Sequence, residues 1–182
     1  MVAFILPAIK MNIIIRQELK EDLARIKEIN DQAFEQEDEG RLVNKLRENE
    51  NFNPELSLVA DADKTVVGHI LFYPVKIISE NCKYKTLSLG PMAVIPEFQK
   101  KGIGRKLIIE GLKRAEEFGF RSVIVVGHPT YYPKFGFIRA GNWNIRLPFD
   151  APDEAFMALE LSEGALKNAA GRVVYPQAYL EV

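Results

Sequence analysis

A mixed α/β fold is what the sequence predicts: a central, mostly antiparallel sheet containing one parallel pair, with helices flanking it. Three observations carry this. Short β-branched or aromatic runs recur along the chain, two of them joined by the polar turn Asp61-Ala62-Asp63-Lys64, which reads as a hairpin. A strong amphipathic helix stands between the runs Thr86–Val94 and Ser122–Val126, and strand, helix, strand in that order implies a right-handed crossover and a parallel pair. The helices do not alternate with strands over the rest of the chain, so the sheet is not doubly wound.

The elements follow in order. Asn12 to Arg16 is a β-branched first strand. In Glu21 to Phe34, Leu23, Ile26, Ile29 and Ala33 recur at helical spacing behind acids in the first turn. Glu35 to Glu39 holds four acids in five residues, and it reads either as a solvated loop or as a lure for a cationic substrate. Arg41 to Arg47 forms a second short helix, and Asn51 to Pro54 breaks the pattern. Leu56–Ala60 and Thr65–Tyr73 are the hairpin strands. Thr86 to Val94 contains Gly90 and Pro91; proline gives no hydrogen to a ladder, so a bulge or an unpaired stretch is expected there. The helix from about Gly102 to Phe118 buries Ile103, Leu107, Ile108, Leu112 and Ala115, and Gly119 sits where a C-terminal cap belongs. Ser122 to Val126 is a buried strand, and Phe156 to Leu161 is the clearest strand of the tail.

Composition narrows the function. The 182 residues suit one domain, at 47% hydrophobic and 27% charged. The balance of 24 cations against 25 acids leaves a net charge of −1, without the basic excess of a nucleic-acid binder. No apolar run reaches the roughly 18–20 residues of a membrane span. A lone cysteine, Cys82, allows no internal disulfide and no Cys-rich zinc site, and two histidines, His69 and His128, make a multi-histidine metal site unexpected. A free thiol suits a reducing compartment, so a cytoplasmic protein is expected. Residues 1–10, MVAFILPAIK, are read as an extension without signal-peptide features, Met11 as a possible natural start, and residues 11–182 as a single domain.

Gln99-Lys100-Lys101-Gly102-Ile103-Gly104-Arg105-Lys106 is the most informative stretch, with four cations in eight residues at a helix start. Free N–H groups and the positive end of the helix dipole favour an anion there, and glycines let the backbone come close. A Walker A loop is excluded because Arg105 and Lys106 stand where the Lys and the Ser or Thr after its second glycine belong, and a dinucleotide GxGxxG fails at Leu107, where its third glycine belongs. By itself the loop could still be a glycine-containing helix entrance with solvated lysines. The remaining pattern, QxxGxG, resembles the GCN5-related N-acetyltransferases (GNAT), which use acetyl-CoA as acyl donor. The resemblance runs from about Met11 to Ala140, and the tail, with Phe156-Met157-Ala158-Leu159-Glu160-Leu161, is more narrowly similar to small YhbS-like predicted acetyltransferases.

The resemblance implies the GNAT fold, with the parallel strands splayed. It implies that Gln99, Lys100, Lys101, Gly102, Ile103, Gly104 and Arg105 take the coenzyme A diphosphate, while the backbone of Met92, Ala93 and Val94 lies along the pantetheine arm. Tyr131-Tyr132-Pro133-Lys134-Phe135-Gly136-Phe137 resembles the family's FYxKxGF. On that likeness Tyr132 is the general acid that protonates the departing thiolate, although such a tyrosine can also be a satisfied core residue.

Some relatives place a glutamate base at about the position of Ser88, which cannot serve as one. His69, His128 and Glu37 are the alternatives. His69, in a strand, also reads as a half-buried hydrogen-bonded residue; His128, at the end of the parallel strand, is the second catalytic candidate. The expected function is acetyl transfer from acetyl-CoA to a primary amine, on a small molecule or a peptide, by direct attack in a ternary complex without metal. The alternative is a CoA-binding sensor without turnover. A monomer or homodimer is expected, without nucleic-acid or membrane partners.

Overall fold

A computed structural model describes residues 11–80 and 82–181, so the proposed extension 1–10 lies outside the described residues. Among the described residues nine strands form one sheet: β1 (Ile13–Gln17), β2 (Ser57–Ala62), β3 (Thr65–Ile78), β4 (Lys83–Val94), β5 (Ser122–Val126), β6 (Ile138–Arg139), β7 (Ile145–Arg146), β8 (Phe156–Glu160) and β9 (Gly171–Val174). The main path runs β1-β2-β3-β4-β5-β8-β6, and β9 pairs with the far end of β3 and with β7. β4 and β5 are parallel along this path, and its other pairings are antiparallel. Three α-helices of the described residues flank the sheet: α1 (Leu23–Phe34), α2 (Asp38–Arg47) and α3 (Ile103–Glu117). None of the described helices is long and apolar enough to cross a membrane.

The hairpin turn is Asp63-Lys64, both at positive φ (50° and 72°), the geometry that suits the twist of a two-residue turn. β3 continues beyond the expected Tyr73 to Ile78. Pro74 is tolerated because it falls between the last pairing to β2, at Leu71, and the first to β9, at Lys76. Its missing N–H therefore costs no ladder bond on that edge.

Alternation along β3 sorts the two layers. His69 meets Asn30 of α1 on one face, whereas Phe72 meets Gly111 of α3 on the other. α3 stops in a Schellman arrangement, with Gly119 at φ 77°, its N–H on the Glu116 carbonyl and the Phe120 N–H on the Ala115 carbonyl at 3.0 Å. α2 begins at Asp38, three residues before the expected Arg41, so the acidic run is not simply a solvated loop. Asp38 and Glu39 instead form the first turn, where carboxylates oppose the helix dipole favourably.

A buried polar network ties the α1/α2 layer to the sheet. Arg47 holds both oxygens of Glu18 at 2.9 and 2.8 Å, and the Ser57 hydroxyl donates to the same carboxylate. His69 bridges Ser57 (3.0 Å) and Asn30 (3.3 Å). Its side chain is fully buried, not half-buried, and burial, with the Arg47 charge beside it, pushes its pKa down to about 3.

Candidate active site

The site begins where the parallel pair comes apart. β4 and β5 are in register only from Leu87–Val123 to Leu89–Val125. Beyond that, Gly90 and Pro91 (joined by a cis peptide bond) form a bulge: β3 pairs Phe72 with Leu89 and then Ile70 with Met92. β5 meanwhile leaves with β8. The result is a wedge between Gly90–Val94 and the end of β5, lined also by Val126, Gly127 and His128.

Main-chain directions on the wedge follow from one bond. The Ile95 N–H donates to the Val67 carbonyl, so in an antiparallel pair the groups of Ala93 also turn toward β3, and those of Met92 and Val94 turn toward the wedge. Of the three proposed pantetheine contacts, Ala93 thus has its backbone committed to the sheet. The Val94 carbonyl is partly used as well, since the Gln99 side-chain amide donates to it at 3.0 Å.

The glycine loop closes one end of the wedge. Pro96–Phe98 makes a short turn, and the Gln99 N–H donates to the Pro96 carbonyl at 3.2 Å. Gln99 is therefore a strut between loop and strand, with neither its amide N–H nor its side chain turned free. Lys100 (φ 59°) and Gly102 (φ 80°) both adopt left-handed backbone, which Gly102 does at no steric cost. Gly102 caps α3 without a side chain, and the first bond back to it comes from the Lys106 N–H at 3.1 Å. That leaves Ile103, Gly104 and Arg105 as helix-start donors. The nearest atom to a Cβ built on Gly104 would be the Tyr131 hydroxyl, at 3.0 Å, so this glycine admits both the tyrosine and whatever approaches the amides. Lys101 lies over the Phe98 ring at 4.9 Å.

The tyrosine turn forms the opposite wall. Tyr132 opens a 3-10 turn, Tyr132–Phe135, closed by Gly136 at φ 93°. It is 7% exposed and packs edge-on to Tyr131 and Phe137, with ring centroids 5.4 and 5.7 Å away. A Cβ on Gly127 would collide with its ring, so this glycine is the seat of the tyrosine. Burial, with Tyr131 adding to it, pushes the Tyr132 phenol up to about 12.

One cleft of about 880 Å³ joins the wedge, the helix start, His128 and both tyrosines. It does not include His69 or Glu37. Glu37 is exposed and pairs with Lys27 at 3.5 Å, and His69 is enclosed in the polar network, so neither faces the reaction space. The cleft does include Glu39 of the acidic run, and it includes residues that sequence reasoning passed over: Phe34 from α1, and Phe149, Tyr175 and Tyr179 from the tail. Among the described residues no group of three or more His, Cys, Asp or Glu is placed to hold a metal.

Comparison with known proteins agrees with this geometry. The sequence pattern of the Acetyltransferase (GNAT) family matches residues 21–137. The uncharacterized N-acetyltransferase YhbS of Escherichia coli K12 is 32% identical over 163 residues, covering 89% of this chain and 95% of that one. The crystal structure of E. coli YhbS in complex with CoA superposes with a TM-score of 0.86 at 30% identity, over 93% of each chain. A GNAT family acetyltransferase from Brucella melitensis, in complex with acetyl-CoA, gives 0.74 at 32% identity, over 92% of this chain and 98% of that one. A splayed parallel pair, a glycine-capped helix start and a buried tyrosine, in a chain with these relatives, leave one assignment: the protein belongs to the acetyltransferase (GNAT) family.

Proposed function

We propose that the protein transfers an acetyl group from acetyl-CoA to a primary amine within a ternary complex. The observation that carries this reading is the single cleft that joins a row of free helix-start N–H groups, an open strand edge and a buried phenol. The CoA and acetyl-CoA bound by the two structural relatives support it.

The residues present fit such a donor. The amides from Lys100 to Arg105 would take the diphosphate, helped by the surrounding cations and the dipole of α3. Met92 and the Val94 N–H would bond the pantetheine along the wedge. In the transfer, the amine nitrogen bonds to the thioester carbonyl carbon and the carbon–sulfur bond breaks. The nitrogen gives up a proton and the sulfur takes one. Tyr132, protonated and buried, would supply the proton to sulfur. His128 is exposed at the cleft and is the nearer of the two histidines to serve the amine.

Calorimetry with CoA on the protein and on Gly102→Val tests the seat. The substitution meets nothing in space but forces a branched side chain to φ 80°, so affinity is expected to drop by about tenfold or more in a folded protein. Unchanged affinity rejects the loop assignment. Thiol release from acetyl-CoA against amine pools tests turnover. CoA binding with no release against any amine would favour the sensor reading.

A further inference from the structure

The tail builds a second compartment of the cleft, on the α1/α2 face of the sheet. Tyr73 and Ser88 are direct cross-strand partners in β3 and β4. Above them stand Tyr179 and Tyr175, from the segment after β9. The rings run in a chain from core to surface: Tyr73 to Tyr179 at 6.5 Å, Tyr179 to Tyr175 at 4.7 Å, and Tyr175 to Phe149 at 5.8 Å. α2 packs against the Gln177–Leu180 turn, and Lys45 bonds Glu181 at 2.9 Å across that contact. Phe34 and Glu39 close the far side. Ser88 lies on the far side of the Gly90-Pro91 bulge from Met92, whose side chain is a neighbour of Gly104 in the glycine loop.

Three features of the bay speak to its occupant. Phe34 and Phe149 stay 39% and 45% exposed at its rim, apolar surface left uncovered where the lining is otherwise aromatic. Among the described residues that line the cleft, Glu39 is the charged side chain on the bay side, whereas Lys100 and Arg105 belong to the loop, so the charge of the lining favours a cation over a carboxylate or phosphate here. The Ser88 hydroxyl and the Tyr175 phenol belong to residues that line the bay, and they lie close to one another, so the bay offers hydroxyl oxygens that can accept an N–H.

We propose that this bay is the acceptor site and that it takes a primary amine carried on an apolar, ring-sized body without a carboxylate of its own. This rests on the acetyl-transfer reading and names the substrate class for it. Ring faces attract the cationic amine and hydroxyl oxygens accept its N–H groups. The same burial that pushes Tyr175 up to about 12 disfavours an ammonium, so the amine sheds its proton more readily inside. Ser88 adjoins Leu89, where the parallel strands begin to part, so an amine held by these hydroxyls lies at the mouth of the wedge.

The test uses calorimetry on CoA-saturated protein with phenethylamine, with phenylalanine, which adds only a carboxylate, and with spermidine, which has charge but no ring. Phenethylamine is expected to bind at least about tenfold more tightly than either. Tyr175→Ala should weaken phenethylamine by about tenfold while CoA affinity holds within about twofold. Phenylalanine or spermidine binding equally well, or none of the three binding, overturns the proposal. The same series on CoA-free protein reads the bay by itself. Failure of CoA to bind with the amine ranking kept would strike the transfer reading and leave the bay standing.

Discussion

A phenol can donate a proton at neutral pH only while it keeps one, and the burial of Tyr132 ensures that it does. With its pKa pushed up to about 12, the group is protonated across the physiological range. Burial would also disfavour a thiolate formed beside it, so the sulfur's demand for a proton rises together with the phenol's hold on its own, and the two effects offset. Tyr132→Phe keeps the ring against Gly127 and removes the proton. Turnover should drop by about 10²-fold or more, with acetyl-CoA affinity little changed. Stopped-flow acetyl transfer beside equilibrium binding separates the two, and undiminished turnover, with chemistry rate-limiting, removes Tyr132 as the acid. Tyr132 was legible because it sits in a motif. Gly127 was not: in sequence it merely ends a strand, and its role exists only because a ring from a later turn lies against it. For the same reason Glu37, His69 and His128 could not be told apart by residue type. Their exposure and neighbours distinguish them, and both come from distant segments.

Elements were more legible than residues, since local pattern decides most of their boundaries. Ser122–Val126 was read as observed, and α3 differs from its expected range by one residue at each end. α2 began earlier than expected because an acidic cluster looks equally like a loop and like the first turn of a helix; packing against α1 settles it. β3 ran on past Pro74 because a gap between two partners, invisible in sequence, leaves room for a residue without an N–H. Gly111 in α3 shows where helix propensity and packing conflict. Alanine there is worth up to about 1 kcal/mol in an isolated helix. A Cβ at this position would run into the Phe72 ring, and the neighbour is a stiff side chain in the sheet core. Overpacking costs about 1–3 kcal/mol, so the collision wins. Gly111→Ala is expected to lower the urea midpoint, and a higher midpoint would show that Phe72 can give way.

At the scale of the whole molecule, the sequence carried the sheet and one end of the cleft, and missed the other end. The glycine loop is local in sequence. The aromatic bay draws on Tyr73, Ser88, Phe149, Tyr175 and Tyr179, which only the completed sheet assembles. The Glu18–Arg47–Ser57–His69–Asn30 network is equally non-local, and it joins α1 and α2 to β2 and β3. Its histidine makes the fold sensitive to acid. Burial and the Arg47 charge oppose protonation of His69, and they prevail over the Glu18 carboxylate 3.9 Å away. The unfolded chain takes up that proton near pH 6.5, but the folded chain refuses it until about pH 3. The unfolded state therefore binds more protons throughout this window, and stability must fall as pH falls, by up to about 1.4 kcal/mol per pH unit. Above the window the contribution is fully present. His69→Gln removes the titration while leaving a polar side chain for Ser57 and Asn30. Its stability at neutral pH should be lower, but urea unfolding between about pH 7 and pH 5 should show a shallower loss than in the natural protein, since carboxylates titrate in both. Parallel losses in the two proteins would mean that His69 accepts its proton in the folded state and that the network rearranges to admit the charge.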